Sequence, residues 1–581
     1  MLLPHGSGKT TVLVERIINK IINEKIDIDK LLIVTFTNAA ASEMRQRILE
    51  ALYEKIDENP ENENLQKQII LLNKANISTI HAFCLEVIKN YFYEINISSN
   101  FRIGDNQEIE LLKQETLEET FEELYEKNDE KFVNLVNMYG GYRDDEDLKE
   151  LVLKIYKYSQ SMPFPEEWII ENVEKFNVQN EIEKDFSKTM WGKILVEDFK
   201  DEIEDCIAEL KKAEEKLKQE EDLQKHYCVI IDDIYKLQTL LKEKNTWDDI
   251  YEYLMNFSFD TWPKAKIENE AKEYSKNIRD SVKERIKAIS KKIFIYSSKE
   301  ANEDINSMYN MLDSLAMIIL KFTERYQKNK KEKNIIDFND IEHFALKILV
   351  QKDESGKYQP TEIAKKYKEK FEEIAIDEYQ DSNLVQEYIL TTISKDNNIF
   401  MVGDVKQSIY KFRQARPELF LEKYDKYELS TNNEKSCEKD TKIQLFQNFR
   451  SRKNILDLTN IVFSNIMSKK LGDIDYNENE YLNCSANYEK PEENKKIAGK
   501  VELDIIDLAE EMEETETEAE EIIEKNEIEA KFVANRIKEL LEDNYYVYDK
   551  KMGYRKVTYK DIVILLRTTS NVASLYEKEL N

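Results

Sequence analysis

Apolar residues along this chain fall into two regimes. Short unbroken runs at Leu31–Val34, Ile374–Ile376 and Ile399–Val402 have the character of strands buried on both faces of a parallel sheet. Elsewhere the spacing widens to a helical period. Val12, Val14, Ile17, Ile18, Ile21 and Ile22 predict an amphipathic helix close to the N-terminus. From 105 to 325 the helical period dominates, starting at Glu108, Leu111, Leu112 and Glu115 and broken once at Met162-Pro163-Phe164-Pro165. The aromatic residues of that stretch (Tyr156, Tyr158, Trp168, Trp191, Trp247 and Trp262) read as helix–helix packing rather than as base-stacking platforms. After 441, Leu503–Ile506 and Asp561–Leu566 read as strands and Ala530–Leu541 as a helix. The pattern therefore predicts an α/β domain in two pieces, 1–104 and 326–440, split by a helical insertion at 105–325 and followed by a second α/β unit at 441–581.

Composition narrows the possibilities. Eleven glycines and eight prolines in 581 residues, against roughly 7% glycine in average proteins, exclude an all-β sandwich, a collagen and a linker-rich mosaic. Five scattered cysteines (Cys84, Cys206, Cys228, Cys437, Cys484) form no C-x-x-C pair, so they read as reduced thiols without a zinc or iron–sulfur site. Four histidines leave little for a histidine-based metal centre. No apolar run approaches the ~18 residues of a membrane span, and no signal peptide is evident. The expectation is a soluble, cytoplasmic protein with no membrane partner. The net charge of −31 runs opposite to the basic balance expected of a nucleic-acid binder. However, 510–529 holds eleven glutamates and one lysine, about a third of that total. Such a run reads as a solvated helix or mobile loop, with a regulatory or partner-binding role as the alternative.

Two of the rare glycines stand in His5-Gly6-Ser7-Gly8-Lys9-Thr10-Thr11, immediately before the first helix. Glycines let backbone N–H groups wrap phosphate oxygens, and the helix N-terminus adds partial positive charge. Lys9 would reach the β- and γ-phosphates and Thr10 would hold Mg²⁺. The full loop pattern wants a small residue where Leu3 stands, and no strand precedes it, so an N-terminally truncated or altered start is expected. The second element is Ile374-Ala375-Ile376-Asp377-Glu378-Tyr379-Gln380-Asp381-Ser382. Here a strand delivers Asp377 as a Mg²⁺ partner and Glu378 as the base that polarises an attacking water.

With these placed, further segments resemble the ordered motifs of superfamily 1 DNA helicases of the UvrD/RecB type. Val34-Thr35-Phe36-Thr37-Asn38-Ala39-Ala40-Ala41 and Thr79-Ile80-His81-Ala82-Phe83-Cys84 are similar to motifs Ia and Ib. The stretch Val402-Gly403-Asp404-Val405-Lys406-Gln407-Ser408-Ile409-Tyr410-Lys411-Phe412-Arg413 is similar to motif III. Asn448-Phe449-Arg450-Ser451-Arg452 is similar to motif IV. The form of motif III, Thr79–Cys84, Ile336-Asp337-Phe338-Asn339-Asp340-Ile341-Glu342 and Phe101-Arg102-Ile103 narrow the resemblance to the AddA-type subunits of bacterial helicase–nucleases. It is strongest at 1–110 and 330–460 and weakest at 110–330.

The resemblance implies an α/β fold: a RecA-like P-loop NTPase domain with a large helical insertion, followed by part of a second RecA-like domain. It implies an ATP-hydrolysing 3′→5′ DNA helicase or translocase that uses ATP and Mg²⁺. Its substrates would be single-stranded and duplex-end DNA, and its partner an AddB-like nuclease subunit in a heterodimer. Motifs V and VI and a nuclease domain are expected beyond Asn581, and an adenine-reading glutamine motif upstream. A UvrD-like repair helicase without nuclease is the alternative. A catalytically incomplete piece that only binds DNA or a partner is the other. By resemblance Arg450 acts as an arginine finger, suited by its fixed charge and forked donors, while Phe449 stacks on adenine and Gln407 senses the γ-phosphate. Arg416 and Arg452 serve either the site or ion pairs with local acids. Tyr410, Phe412 and Arg413 are expected to hold bases of a single strand. Phe36, Thr37, Asn38, Thr79, His81 and Phe83 would form the opposite wall, with His81 equally readable as a satisfied core histidine.

Overall fold

The computed structural model describes residues 8–140, 144–264, 269–430, 440–488, 496–497, 500–507, 518–549, 552–570 and 572–580. The chain divides into two compact units, Met1–Ile95 with Ile341–Asn581, and Asn96–Asp340.

The first unit is built on a four-stranded parallel sheet in the spatial order Asn76–Thr79, Leu31–Thr35, Glu373–Ile376, Ile399–Met401. Ile33 pairs with Ile77 on one side and Ala375 on the other, so two segments over 300 positions apart in sequence lie in one register. Leu31–Thr35 and Glu373–Ile376 are buried along their whole length, which is why they are apolar without alternation. Helix Lys9–Ile22 buries Leu13, Val14, Ile17, Ile18 and Ile21 against this sheet. Its polar side is pinned as well. Arg16 makes a fork to Glu373 (Nε–Oε1 2.8 Å, Nη2–Oε2 2.7 Å) and lies 4.2 Å over the Phe400 ring. Lys20 adds a second cation at 3.1 Å from the same carboxylate.

The second unit is helical, from Asn106–Glu126 to Ser298–Glu332, apart from the parallel pair Arg102–Ile103 with Ile335–Ile336. One core gathers Phe121, Phe132, Tyr156, Phe322 and Tyr326, and a second gathers Phe199, Leu237, Trp247 and Phe294. The proline break is real: one helix ends at Ser159 and the next begins at Pro165 in its first turn. The aromatic residues of this unit pack on one another, as in Tyr156 on Phe322 (5.1 Å), Trp247 on Phe294 (4.4 Å) and His226 on Trp262 (4.9 Å). Tyr158 is half-exposed and lies 5.4 Å from Trp168.

Past 441 the expected helix is present as Glu518–Glu542, but the two expected strands are not. Residues 501–507 and 562–566 form no ladder among the described residues, and Leu503 and Leu565 are 87% and 90% exposed. A strand has no internal hydrogen bonds, so β-propensity without a neighbour to pair with leaves extended coil. The paired strands that do form there among the described residues are short: Thr441–Lys442 with Glu428–Leu429, Gln447–Asn448 with Asn483–Cys484, and the hairpin Tyr546–Asp549 with Gly553–Lys556. Residues 510–517 of the acidic run lie outside the described residues.

Candidate active site and nucleic-acid interface

Lys9 begins the first helix, and Gly8 before it adopts φ +83°, a left-handed conformation that glycine tolerates without strain. His5, Gly6 and Ser7 lie outside the described residues; Thr10 and Thr11 occupy the first helical turn. The Lys9 side chain is buried and its Nζ donates to Glu378 Oε2 at 2.8 Å. Asp377 and Glu378 follow the central strand directly, and the Asp377 N–H donates to the Val34 carbonyl at 2.9 Å. Both therefore stand at the C-terminal edge of the sheet, where open parallel sheets place ligands. Glu378 is held at φ 51°, ψ 47°, left-handed for a residue that is not glycine. Backbone strain of that kind persists only where surrounding bonds enforce it. Here Gln380 Nε2 donates to Glu378 Oε2 at 2.9 Å, and the Glu378 N–H donates to Asp377 Oδ1 at 3.1 Å.

Carboxylates outnumber cations in this cleft. Burial, and then the negative charge of Glu378, push the Asp377 carboxyl up to about 6. Burial and Glu378 do the same to Asp381, also to about 6. The Asp381 Oδ1 atom is buried without a hydrogen-bond partner. An orphaned carboxylate oxygen, a second under-neutralised carboxyl and the Thr10 hydroxyl are hard oxygen donors that suit Mg²⁺. Among the described residues no three acidic, histidine or thiol groups converge as a metal cage.

The segment after the fourth strand closes on the same carboxylates. The Asp404 N–H donates to Gln380 Oε1 at 2.9 Å, and Gln407 Nε2 donates to Asp404 Oδ2 at 2.7 Å. A Cβ at Gly403 would stand 2.5 Å from Gln380 Oε1, so the close approach of this backbone needs glycine. Gln407 is thereby two bonded residues, Asp404 and Gln380, away from Glu378.

Phe449 and Arg450 occupy exposed positions after the strand Gln447–Asn448. The buried Asn448 side chain accepts from the Arg450 and Ser451 N–H groups at 3.0 and 2.9 Å, fixing the turn, and Tyr488 donates its hydroxyl to the Arg450 carbonyl. Arg452 lies 4.5 Å over the Tyr488 ring and donates to the Tyr554 hydroxyl at 3.1 Å.

The aromatic residues meet along one surface. Phe36 lies 4.7 Å from Tyr410, Tyr410 lies 5.9 Å from Phe412, and the Arg413 guanidinium sits 5.1 and 5.7 Å from the last two rings. Phe412 is 77% exposed, an arrangement suited to stacking bases rather than filling a core. Thr37 and Thr79 cap the helices Asn38–Glu58 and Ile80–Tyr91, accepting from the Ala40 and Ala82 N–H groups at 3.0 and 3.3 Å. Two helix N-termini thus open beside Asn38 and His81, and such termini favour phosphate. His81 keeps features of both readings: it is half-exposed, and its Nε2 lies 3.3 Å from Glu342 Oε1. Phe83 does not belong to this wall. It is 2% exposed and packs against Tyr367 (5.7 Å) and Phe371 (6.2 Å), so no base can reach its face.

Arg16, Glu373 and Glu480 escaped the sequence pattern, and Gln380, Asp404, Lys406 and Glu342 stood inside its motifs without an assigned role. The scarcity of arginine, fifteen among 86 basic residues, was a usable signal for Arg16. Glu480 carried none, because its partner lies 74 positions away.

Against known families, residues 5–428 match the UvrD/REP helicase N-terminal domain. The chain is 45% identical over 591 residues to the A subunit of the ATP-dependent helicase/nuclease of Clostridium kluyveri, covering 99% of this chain and 47% of that protein. It is 46% identical over 598 residues to the same-named protein of a Thermoanaerobacter species (99% and 48%) and 43% identical over 610 residues to that of Clostridioides difficile (99% and 47%). The chain spans about half the length of the curated relatives it matches.

Proposed function

This chain belongs to the UvrD/REP helicase N-terminal domain family, and on that premise we propose that it couples ATP hydrolysis to movement along single-stranded DNA. In this reading it is the AddA-like, 3′→5′ subunit of a cytoplasmic helicase–nuclease that acts on duplex ends beside an AddB-like partner. The observation that carries the reading is the ion pair of buried Lys9 with part-exposed Glu378 at the sheet edge, with Asp377 next to it. A lysine that cradles phosphate and a carboxylate that activates water are held together at 2.8 Å until a nucleotide separates them.

Arrival of the γ-phosphate gives Lys9 a doubly charged partner in place of one carboxylate, a stronger charge-assisted bond. Glu378 is then free to accept a proton from a water aligned on the phosphorus, as general base. Gln380 stays bonded to that carboxylate meanwhile. Thr10 and Asp377 would hold Mg²⁺, which neutralises charge on the β- and γ-phosphate oxygens. Gln407 and Arg450 meet the γ-phosphate from the far side, with Phe449 on the adenine. Bases stack on Tyr410 and Phe412, and Phe36, Thr37, Asn38, Thr79 and His81 hold the strand from its other side.

The test is ATP hydrolysis by the purified protein with and without an oligothymidylate. Lys9→Ala and Glu378→Gln are expected to lower DNA-stimulated turnover by about 10²–10⁴-fold, the range of a lost general base or phosphate cation. Turnover unchanged in both variants would refute the site.

A further inference from the structure

The phosphate lysine and the arginine segment are joined by a continuous chain of polar bonds. Lys9 binds Glu378 (2.8 Å), Gln380 binds Glu378 (2.9 Å), and the Asp404 N–H binds Gln380 (2.9 Å). The Asp404 carboxylate holds Lys406 Nζ at 3.2 Å, and Lys406 Nζ donates to Glu480 Oε2 at 2.8 Å. Glu480 accepts a further bond from the Tyr424 hydroxyl at 2.9 Å, which itself accepts from Gln444 Nε2 at 2.6 Å. Beyond Glu480 the backbone is bonded to the strand that leads into Phe449 and Arg450. The Asn483 N–H donates to the Phe446 carbonyl at 3.2 Å and the Ser485 N–H to the Asn448 carbonyl at 2.8 Å. Tyr476 and Leu482, on either side of Glu480, both donate to Asn460 Oδ1 (2.7 and 3.0 Å), in the helix Lys453–Ile466 that follows Arg452.

An exposed ion pair contributes little and transmits nothing. The Lys406–Glu480 pair is not of that kind: the side chains are 14% and 12% exposed, and each end is locked by a second partner. Partners so fixed in a low-dielectric setting cannot be rearranged singly, because a lone buried charge is costly. A change at one end is therefore passed to the other as a displacement.

We propose that the Lys406–Glu480 ion pair is the joint through which nucleotide at Lys9 repositions Arg450, which makes Glu480 a positioning residue for the arginine. The inference rests on the nucleotide reading above. When phosphate takes Lys9 from Glu378, Gln380 follows its carboxylate partner, and Asp404 and Lys406 move with it. Glu480 then draws the 480–485 segment, and with it the strand bonded to it.

The experiment is amide hydrogen exchange on the purified protein with Mg²⁺ and the non-hydrolysable nucleotide AMP-PNP, followed by steady-state ATPase kinetics. In the wild type, nucleotide should slow exchange at 9–22 and also alter it at 446–450 and 480–485. In Glu480→Gln, which keeps the shape and removes the charge, and in Lys406→Met, the first response should persist and the second disappear. Their kcat should fall about ten- to hundredfold, the usual consequence of a small misplacement at a reacting centre, with KM for ATP within about twofold. The double variant should be no worse than the worse single, because both changes break one joint. A response at 480–485 that survives in the variants, an unchanged kcat, or losses that multiply would overturn the joint while leaving the nucleotide site standing. No response at 9–22 in the wild type would overturn the nucleotide reading itself, and the joint with it.

Discussion

Asp377 shows what a single residue surrenders to serve this site. Its carboxyl is buried beside Glu378 and titrates near 6 instead of the ordinary 3.8. The native state thus binds that proton more tightly than the unfolded chain does. Its contribution to stability is complete below about pH 4 and is lost as the pH rises through 6, so the ionised form at neutral pH costs stability. Asp377→Asn should therefore raise the melting temperature of the nucleotide-free protein at pH 8, by an amount worth up to about 3 kcal/mol, and by about half that at pH 5. An equal gain at both pH values would show that ionisation of Asp377 is not the source of the cost. Phe83 and Phe412 form a second contrast. Phe412→Ala should weaken oligothymidylate binding by about 1–3 kcal/mol with unchanged stability. Phe83→Ala should cost about 3–5 kcal/mol of folding stability through the cavity it leaves. Fluorescence titration and urea unfolding separate the two, and the reverse result would restore Phe83 to the DNA wall. In sequence these phenylalanines looked alike, because motif position does not reveal burial.

Among the elements, those bounded by strong local signals were legible. The helix Lys9–Ile22 follows from a glycine before it and an apolar stripe along it, and the proline break at 162–165 ends one helix and starts another. The strands read at 503–506 and 561–566 had the same apolar content as the buried ones but find no neighbour among the described residues. The end of the long helix Ser298–Glu332 carries a third lesson. Lys330 is buried with Asp337 (3.0 Å) and Asp340 (2.6 Å), and the two aspartates cap one another through their N–H groups at 2.8 and 2.9 Å. Burial opposes ionisation of Asp337, and Lys330 overcomes it, holding that carboxyl below its ordinary value; burial keeps Asp340 above it. Lys330→Met should destabilise the protein by about 3–5 kcal/mol at pH 7.5, since two buried carboxylates lose their cation. The deficit should shrink as the pH falls and the carboxyls protonate, because stability of the variant then rises relative to wild type. Urea midpoints at pH 7.5 and 5 measure this; a deficit independent of pH would assign the loss to packing alone.

For the whole molecule, net charge was the least informative quantity. About a third of the −31 total sits in the one run 510–529, and the cations that matter are single residues, Lys9, Lys406, Arg413 and Arg450, each held by named neighbours. The chain alone determined which chemistry was present: a glycine-flanked lysine before a helix, an acidic pair after a strand, aromatic residues beside an arginine. These are local patterns, dictated by backbone freedom, helix dipoles and strand burial over ten residues or fewer. It also determined that the unit between them is helical, through periodicity and the scarcity of glycine. Only the tertiary structure decided that Glu378 stands 2.8 Å from Lys9, 369 positions earlier, that Phe83 faces inward, and that Lys406 reaches Glu480. Pairings of that kind depend on register between distant strands and on which side chains lose their water, and neither is recorded in any local stretch of sequence.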